Sequence, residues 1–106
     1  MSDANPTQRK QEAVEAPDDS LRPKLKRLFR LQWEPAQHAH VLLYPEGMVK
    51  LSDSAAQILK RVDGVASISA IIDDLERAFP GVELTSDVME FLTIAHERGW
   101  IVVQNR

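Results

Sequence analysis

The chain has no cysteine, so it forms no disulfide, builds no thiolate zinc site or iron–sulfur cluster and offers no thiol nucleophile. No apolar run approaches the roughly 18 residues of a membrane span, and the N-terminal stretch lacks the apolar centre of a signal peptide. A cytoplasmic location without a membrane partner is the default expectation. Aromatic residues make up only 6% of the chain, too few to interleave with the bases of a single-stranded nucleic acid. Among four glycines there is no phosphate loop, dinucleotide fingerprint or nucleophile elbow. Nothing in the sequence points to catalysis, and no cofactor is expected.

What is present fits one small domain, since 106 residues leave room for a single thin core. Residues 1–20 are polar, hold Pro6 and Pro17, and carry only Val14 as a large apolar side chain beyond Met1. Such a composition cannot bury enough apolar surface to offset the entropy of ordering. Residues 1–24 are therefore expected to form a disordered tail or linker, and 25–106 the folded domain. Charge is unevenly spread. Arg22, Lys24, Lys26, Arg27 and Arg30 cluster, whereas the stretch from Leu31 onward holds six basic residues against eleven acidic ones. The basic run reads as a solvated lead-in to the first strand, or as a surface that steers an acidic partner. The remainder is too acidic for a general nucleic-acid surface.

Phe29, Leu31 and Trp33 alternate with Arg30, Gln32 and Glu34, the period of a strand with one wet face. Pro35 ends it. Residues 41–44 are apolar on both faces, as suits a central strand, and 48–51 turn back across Pro45-Glu46-Gly47. A three-residue loop with Gly47 left-handed would close that hairpin. Three helical patterns follow. Ser52 caps the first, with Ala55, Leu59 and Val62 on one stripe and Gly64 as its stop; Ser67 caps the second, carrying Ile68, Ile71, Ile72, Leu75 and Phe79 up to Pro80-Gly81. Thr85 or Ser86 caps the third, which turns Val88, Phe91, Leu92 and Ala95 inward and ends at Gly99. Residues 100–103 form a last strand or an extended cover. The fold class is α+β and winged helix-turn-helix-like, a three-stranded antiparallel sheet followed by three helices. With no later strand placed to pair with it, 48–51 ends as a sheet edge, where an extended peptide can add.

His38 and His40 share a strand face, but zinc needs further ligands and no metal is expected. Asp73, Asp74 and Glu76 read as the solvated face of an amphipathic helix, with Arg77 offsetting their repulsion. Trp33 and Trp100 read as core or near-core anchors rather than stacking platforms. A winged-helix outline raises DNA binding as the alternative function, but the third helix presents Asp87, Glu90 and Glu97 against Arg98, which would repel a phosphate backbone.

The segment Val41-Leu-Leu-Tyr-Pro-Glu-Gly-Met48, followed by Leu51-Ser, Ser54-Ala-Ala-x-Ile-Leu, Phe91-Leu-x-x-Ala95 and Gly99-Trp-Ile, resembles the pyrroloquinoline quinone biosynthesis protein D family over residues 29–103. The resemblance implies a precursor-peptide recognition element of ribosomal-peptide pathways. Such a protein is a peptide chaperone and not an enzyme: it holds the PQQ precursor peptide and presents it to a radical S-adenosylmethionine enzyme. Some members are fused to a neighbouring pathway protein, which would make the N-terminal segment a linker. By position, the resemblance makes Gly47, Met48, Val49, Lys50, Leu51 and Ser52 the peptide-contact strand. Met89, Thr93 and His96, on the face left once the third helix's core stripe is assigned, are groove-side candidates.

Overall fold

Leu21, Pro23 and Leu25 alternate with Arg22 and Lys24, and this short period-2 pattern opens the folded part of the chain. The computed structural model describes residues 19–105. Strand β1 (Leu21–Leu25) is followed by β2 (Arg30–Glu34), a 3-10 turn (Pro35–Gln37), β3 (Ala39–Tyr44) and β4 (Gly47–Lys50). Helices α1 (Asp53–Leu59), α2 (Ile68–Ala78) and α3 (Thr85–Glu97) precede a last strand, β5 (Ile101–Asn105). The order β2-β3-β4 makes a three-stranded antiparallel meander, and β1 pairs antiparallel with β5 in a separate two-stranded sheet. The expected α+β class, with antiparallel strands and three helices, is what the chain forms.

One face of the meander, carrying Leu31, Leu42 and Val49, lies against the helices. Leu42 and Leu51 join Leu59, Ile71, Val88 and Ala95 in a single core, closed by Trp100 and Ile101. Ser52 and Ser67 cap α1 and α2 as their positions predict, each hydroxyl accepting the N–H of the residue three further on, at 3.1 and 3.0 Å. The start of α3 differs from expectation. Neither Thr85 nor Ser86 caps it; Leu84 holds the cap position without a side-chain bond, and its N–H is anchored by the Glu76 carboxylate at 2.7 Å.

The basic run is not a lead-in, and a domain boundary at residue 24 falls inside β1. Pro23 is among the most fully buried side chains of the protein. The phase of the β1–β5 ladder is set by the Lys26 N–H, which donates to the Trp100 carbonyl at 2.9 Å. Counting along the register puts Pro23 opposite Val103, where neither residue bonds across. Its missing N–H therefore costs the ladder nothing, and its carbonyl accepts the Gly64 N–H at 2.9 Å. Gly64 has φ 80°, and a Cβ there would sit 3.1 Å from the Lys24 side chain, so glycine lets the turn after α1 close on β1 without strain. The expected disordered tail lies outside the described residues up to residue 18.

The β3–β4 hairpin has a two-residue loop, Pro45-Glu46, with Tyr44 paired to Gly47. Gly47, expected to be left-handed, is a strand residue with φ 159°, essentially extended. Pro45 and Glu46 turn the chain without any positive φ, so a loop shorter by one residue leaves no left-handed position for Gly47 to fill.

Candidate functional site

Whether β4 can accept another strand depends on which way its backbone groups point. The Leu51 N–H donates to the His40 carbonyl at 3.0 Å, and Leu42 lies opposite Val49, Tyr44 opposite Gly47. In an antiparallel ladder the bonded pairs alternate. Gly47, Val49 and Leu51 therefore direct their N–H and C=O groups at β3, and Met48 and Lys50 direct theirs away from the sheet. Met48 and Lys50 are exposed, with no backbone partner on that side among the described residues. The other margin of the sheet, β2, is open as well.

Beyond the end of β4 the surface sinks into a cleft of about 650 Å³. Trp33 and His40 form one wall, the start of α1 from Ser52 to Ile58 forms the floor, and Leu75, Phe79, Val82 and Leu84 close the far side. Asp87, Val88 and Phe91 of α3 complete it. The walls are apolar and partly open: Trp33, Phe79 and Val82 are each between 43% and 49% exposed. Trp33 packs edge-on against His40 with ring centroids 5.1 Å apart, and Phe91 lies tilted against Trp100 at 6.4 Å. The carboxylates of Asp53 and Asp87 make the cleft margin acidic. Such a concavity, apolar with a few polar groups, suits side chains of an extended or helical ligand.

Of the residues proposed from sequence, Gly47, Met48, Val49 and Lys50 make up β4, Leu51 is buried, and Ser52 alone lines the cleft. Met89, Thr93 and His96 line no part of it. Met89 is half-buried against the core, the Thr93 hydroxyl donates to the Met89 carbonyl at 2.9 Å, and His96 is exposed in the last turn of α3. At helical spacing these three fall on one flank of α3, and Asp87 and Phe91 on the other. Of the two tryptophans expected at or near the core, Trp100 is 8% exposed, in the core, and Trp33 is 48% exposed at the cleft wall. Sequence reasoning missed the cleft residues Phe79, Val82 and Leu84. Their signal is an aromatic residue at a helix stop followed by apolar residues in a loop, where polar ones are usual.

His38 caps the 3-10 turn in a left-handed conformation, φ 50°, and stands apart from the His40–Trp33 pair. Among the described residues no three His, Asp or Glu side chains are placed to hold a metal ion. Asp74 is held by Arg61 at 2.6 Å and more loosely by Arg77 at 3.6 Å. Its carboxyl titrates below the usual value through the Arg61 hydrogen bond and that guanidinium's charge. No helix among the described residues is long and apolar enough to cross a membrane.

Residues 39–101 match the family model for coenzyme PQQ synthesis protein D, PqqD. A "PqqA binding protein" of Azotobacter vinelandii is 62% identical over 82 residues, covering 74% of this chain and 87% of that protein. One of the same name from Pseudomonas aeruginosa is 54% identical over 83 residues, with 77% and 90% covered. Among solved structures, the PqqD truncation of Methylobacterium extorquens PqqCD superposes with a TM-score of 0.67 at 28% identity, over 83% of this chain and 96% of that one. That protein is described as a functional, stand-alone recognition element for ribosomally synthesised and post-translationally modified peptides.

Proposed function

This chain belongs to the PqqD family, and from that premise we propose how it works: it recognises the PqqA-type precursor peptide of PQQ biosynthesis by strand addition at β4 and presents it to the radical S-adenosylmethionine enzyme of the pathway. The relatives named for PqqA binding and the recognition-element structure support precursor-peptide recognition. The observation that carries strand addition is the outward, unpaired direction of the Met48 and Lys50 backbone groups. An incoming chain gains main-chain bonds there irrespective of its sequence, and its side chains supply selectivity. Past Lys50 the β4 path leads through Ser52 to the cleft, where Phe79, Val82 and Phe91 offer apolar contact and Asp53 and Asp87 favour a basic neighbour on the peptide.

The protein acts in the cytoplasm as a binding module on a winged-helix-like frame, without a catalytic role of its own. DNA is the poorer ligand for that frame, because Asp87, Glu90 and Glu97 stand exposed along α3. Titrating isotope-labelled protein with the precursor peptide tests the reading. The amides of Met48 and Lys50 should shift first and farthest, together with the Trp33 indole. Shifts confined to the Met89, Thr93 and His96 flank of α3 would place the peptide elsewhere.

A further inference from the structure

The margin of the meander that the peptide reading leaves unused is β2, Arg30-Leu31-Gln32-Trp33-Glu34. The alternation that turns Met48 and Lys50 outward on β4 carries across β3. Leu42 faces β4, so Val41 and Leu43 bond to Gln32 and Arg30, and the backbone groups of Leu31 and Trp33 point away from the sheet. No hydrogen-bond partner meets them among the described residues. An open edge of this kind is usually blunted by a central lysine, a proline or a bulge. Here Pro35 only ends the strand, and the residues that point outward between its ends are neutral.

The five residues read as a palindrome of chemistry: positive, apolar, polar, aromatic, negative. Laid antiparallel against itself about Gln32, the strand sets Arg30 opposite Glu34 twice and Leu31 opposite Trp33 twice. Leu31 and Trp33 are the residues whose N–H and C=O groups face out, so these two pairs are the ones that exchange main-chain bonds, four in all. Arg30 and Glu34 then fall at the closer, non-bonded positions where cross-strand charges interact best. Neither Arg30 nor Glu34 has an ion-pair partner among the described residues. The ladder is bounded on both sides: the Phe29 N–H is taken by the Lys26 carbonyl at 3.0 Å, and Pro35 has no N–H to give.

We infer that β2 is a homodimerisation edge, joining two copies of this chain through antiparallel β2–β2 pairing into a continuous six-stranded sheet. Both β4 edges lie at the outer ends of that sheet and stay open. The partner's Leu31 rests beside Trp33 at the wall of the cleft, so association stiffens that wall. A five-residue edge buries little surface, and the dimer is accordingly weak and concentration-dependent.

The test uses charge reversal. Sedimentation equilibrium of the parent protein from low micromolar to near-millimolar concentration should show monomer passing into dimer. Arg30→Glu and Glu34→Arg each set like charges opposite one another twice and should weaken association by about tenfold. Mixed in equal amounts, the two variants present each other with opposite charges and should associate as the parent does. Circular dichroism of each variant checks that the fold is unchanged. A readout that needs no variant is the amide spectrum of the parent, in which Leu31 and Trp33 should shift most with concentration. The inference is overturned if the parent stays monomeric throughout, if neither single variant alters association, or if the mixture fails to recover it.

Discussion

The Leu51 N–H donates to the His40 carbonyl at 3.0 Å, and this single bond fixes the direction of every backbone group on β4. It makes neighbouring residues unequal in kind: the Val49 amide points into the sheet, and the Lys50 amide points away from it.

Proline at the two positions should therefore separate folding from binding. Val49→Pro removes a bond to Leu42 and leaves a buried carbonyl unpaired, a loss of about 1–3 kcal/mol of stability. Lys50→Pro removes only an outward N–H, and edge strands accept proline there. It should leave the urea midpoint nearly unchanged and weaken precursor-peptide binding, measured by calorimetry. Full-strength binding by a folded Lys50→Pro protein would move the peptide off β4.

Strand β1 makes a second prediction through Pro23. A chain beginning at Asp19 keeps the β1–β5 ladder and should match the parent in stability. A chain beginning at Lys26 loses it, and with it the cover over Ile101, which is 2% exposed in the intact fold. Equal unfolding midpoints for the two would mean that β1 contributes nothing to the domain.

The hairpin and the three helices were legible because each announces itself within a dozen residues: Pro45 at a turn, Ser52 and Ser67 at caps, Ile71, Ile72 and Leu75 at helical spacing. Strand β1 was not. Its alternation spans five residues, two of them cationic, and its partner β5 lies at the far end of the chain, so no local pattern reports the pairing. The direction of β4 was legible as an edge, but which amide points outward required the register. The cleft was hidden for a related reason. Trp33, Phe79, Val82 and Asp87 come from four separate segments, and only packing of the helices on the sheet brings them to one wall. On the third helix the polar flank holds Met89, Thr93 and His96, whereas the cleft is lined by the margin of its core stripe at Phe91, a placement that helical spacing alone does not reveal.

Leu28 carries strain with no packing in return. It has φ 77° in the turn closed by the Phe29 N–H and the Lys26 carbonyl at 3.0 Å, and it is 67% exposed. A left-handed backbone costs an L-residue about 1–2 kcal/mol, and glycine escapes that cost while giving up some entropy in the unfolded chain. Leu28→Gly should stabilise the domain by about 0.5–1 kcal/mol, read as a higher urea midpoint with an unchanged slope. A drop in the midpoint would show that Leu28 makes contacts worth more than its strain.

Asp63 and Asp74 give the stability a defined acid limb. Asp63 titrates below its ordinary 3.8 because its carboxylate accepts the Ala66 and Val65 N–H groups, at 2.9 and 2.8 Å. Asp74 titrates low because of its hydrogen bond to Arg61, with the charges of Arg61 and Arg77 adding to it. A carboxylate whose pKa is lower in the folded chain binds protons more readily when unfolded, so it adds stability above the unfolded value and loses it as pH falls through the folded one. Both groups should thus leave stability level from neutrality down to about pH 5 and erode it below about pH 4. Asp63→Asn and Asp74→Asn remove the titrating groups. In the double variant, urea midpoints should be lower near neutrality and fall less steeply between pH 5 and pH 3 than those of the parent. An acid limb of the same slope in both would assign the loss to other carboxylates.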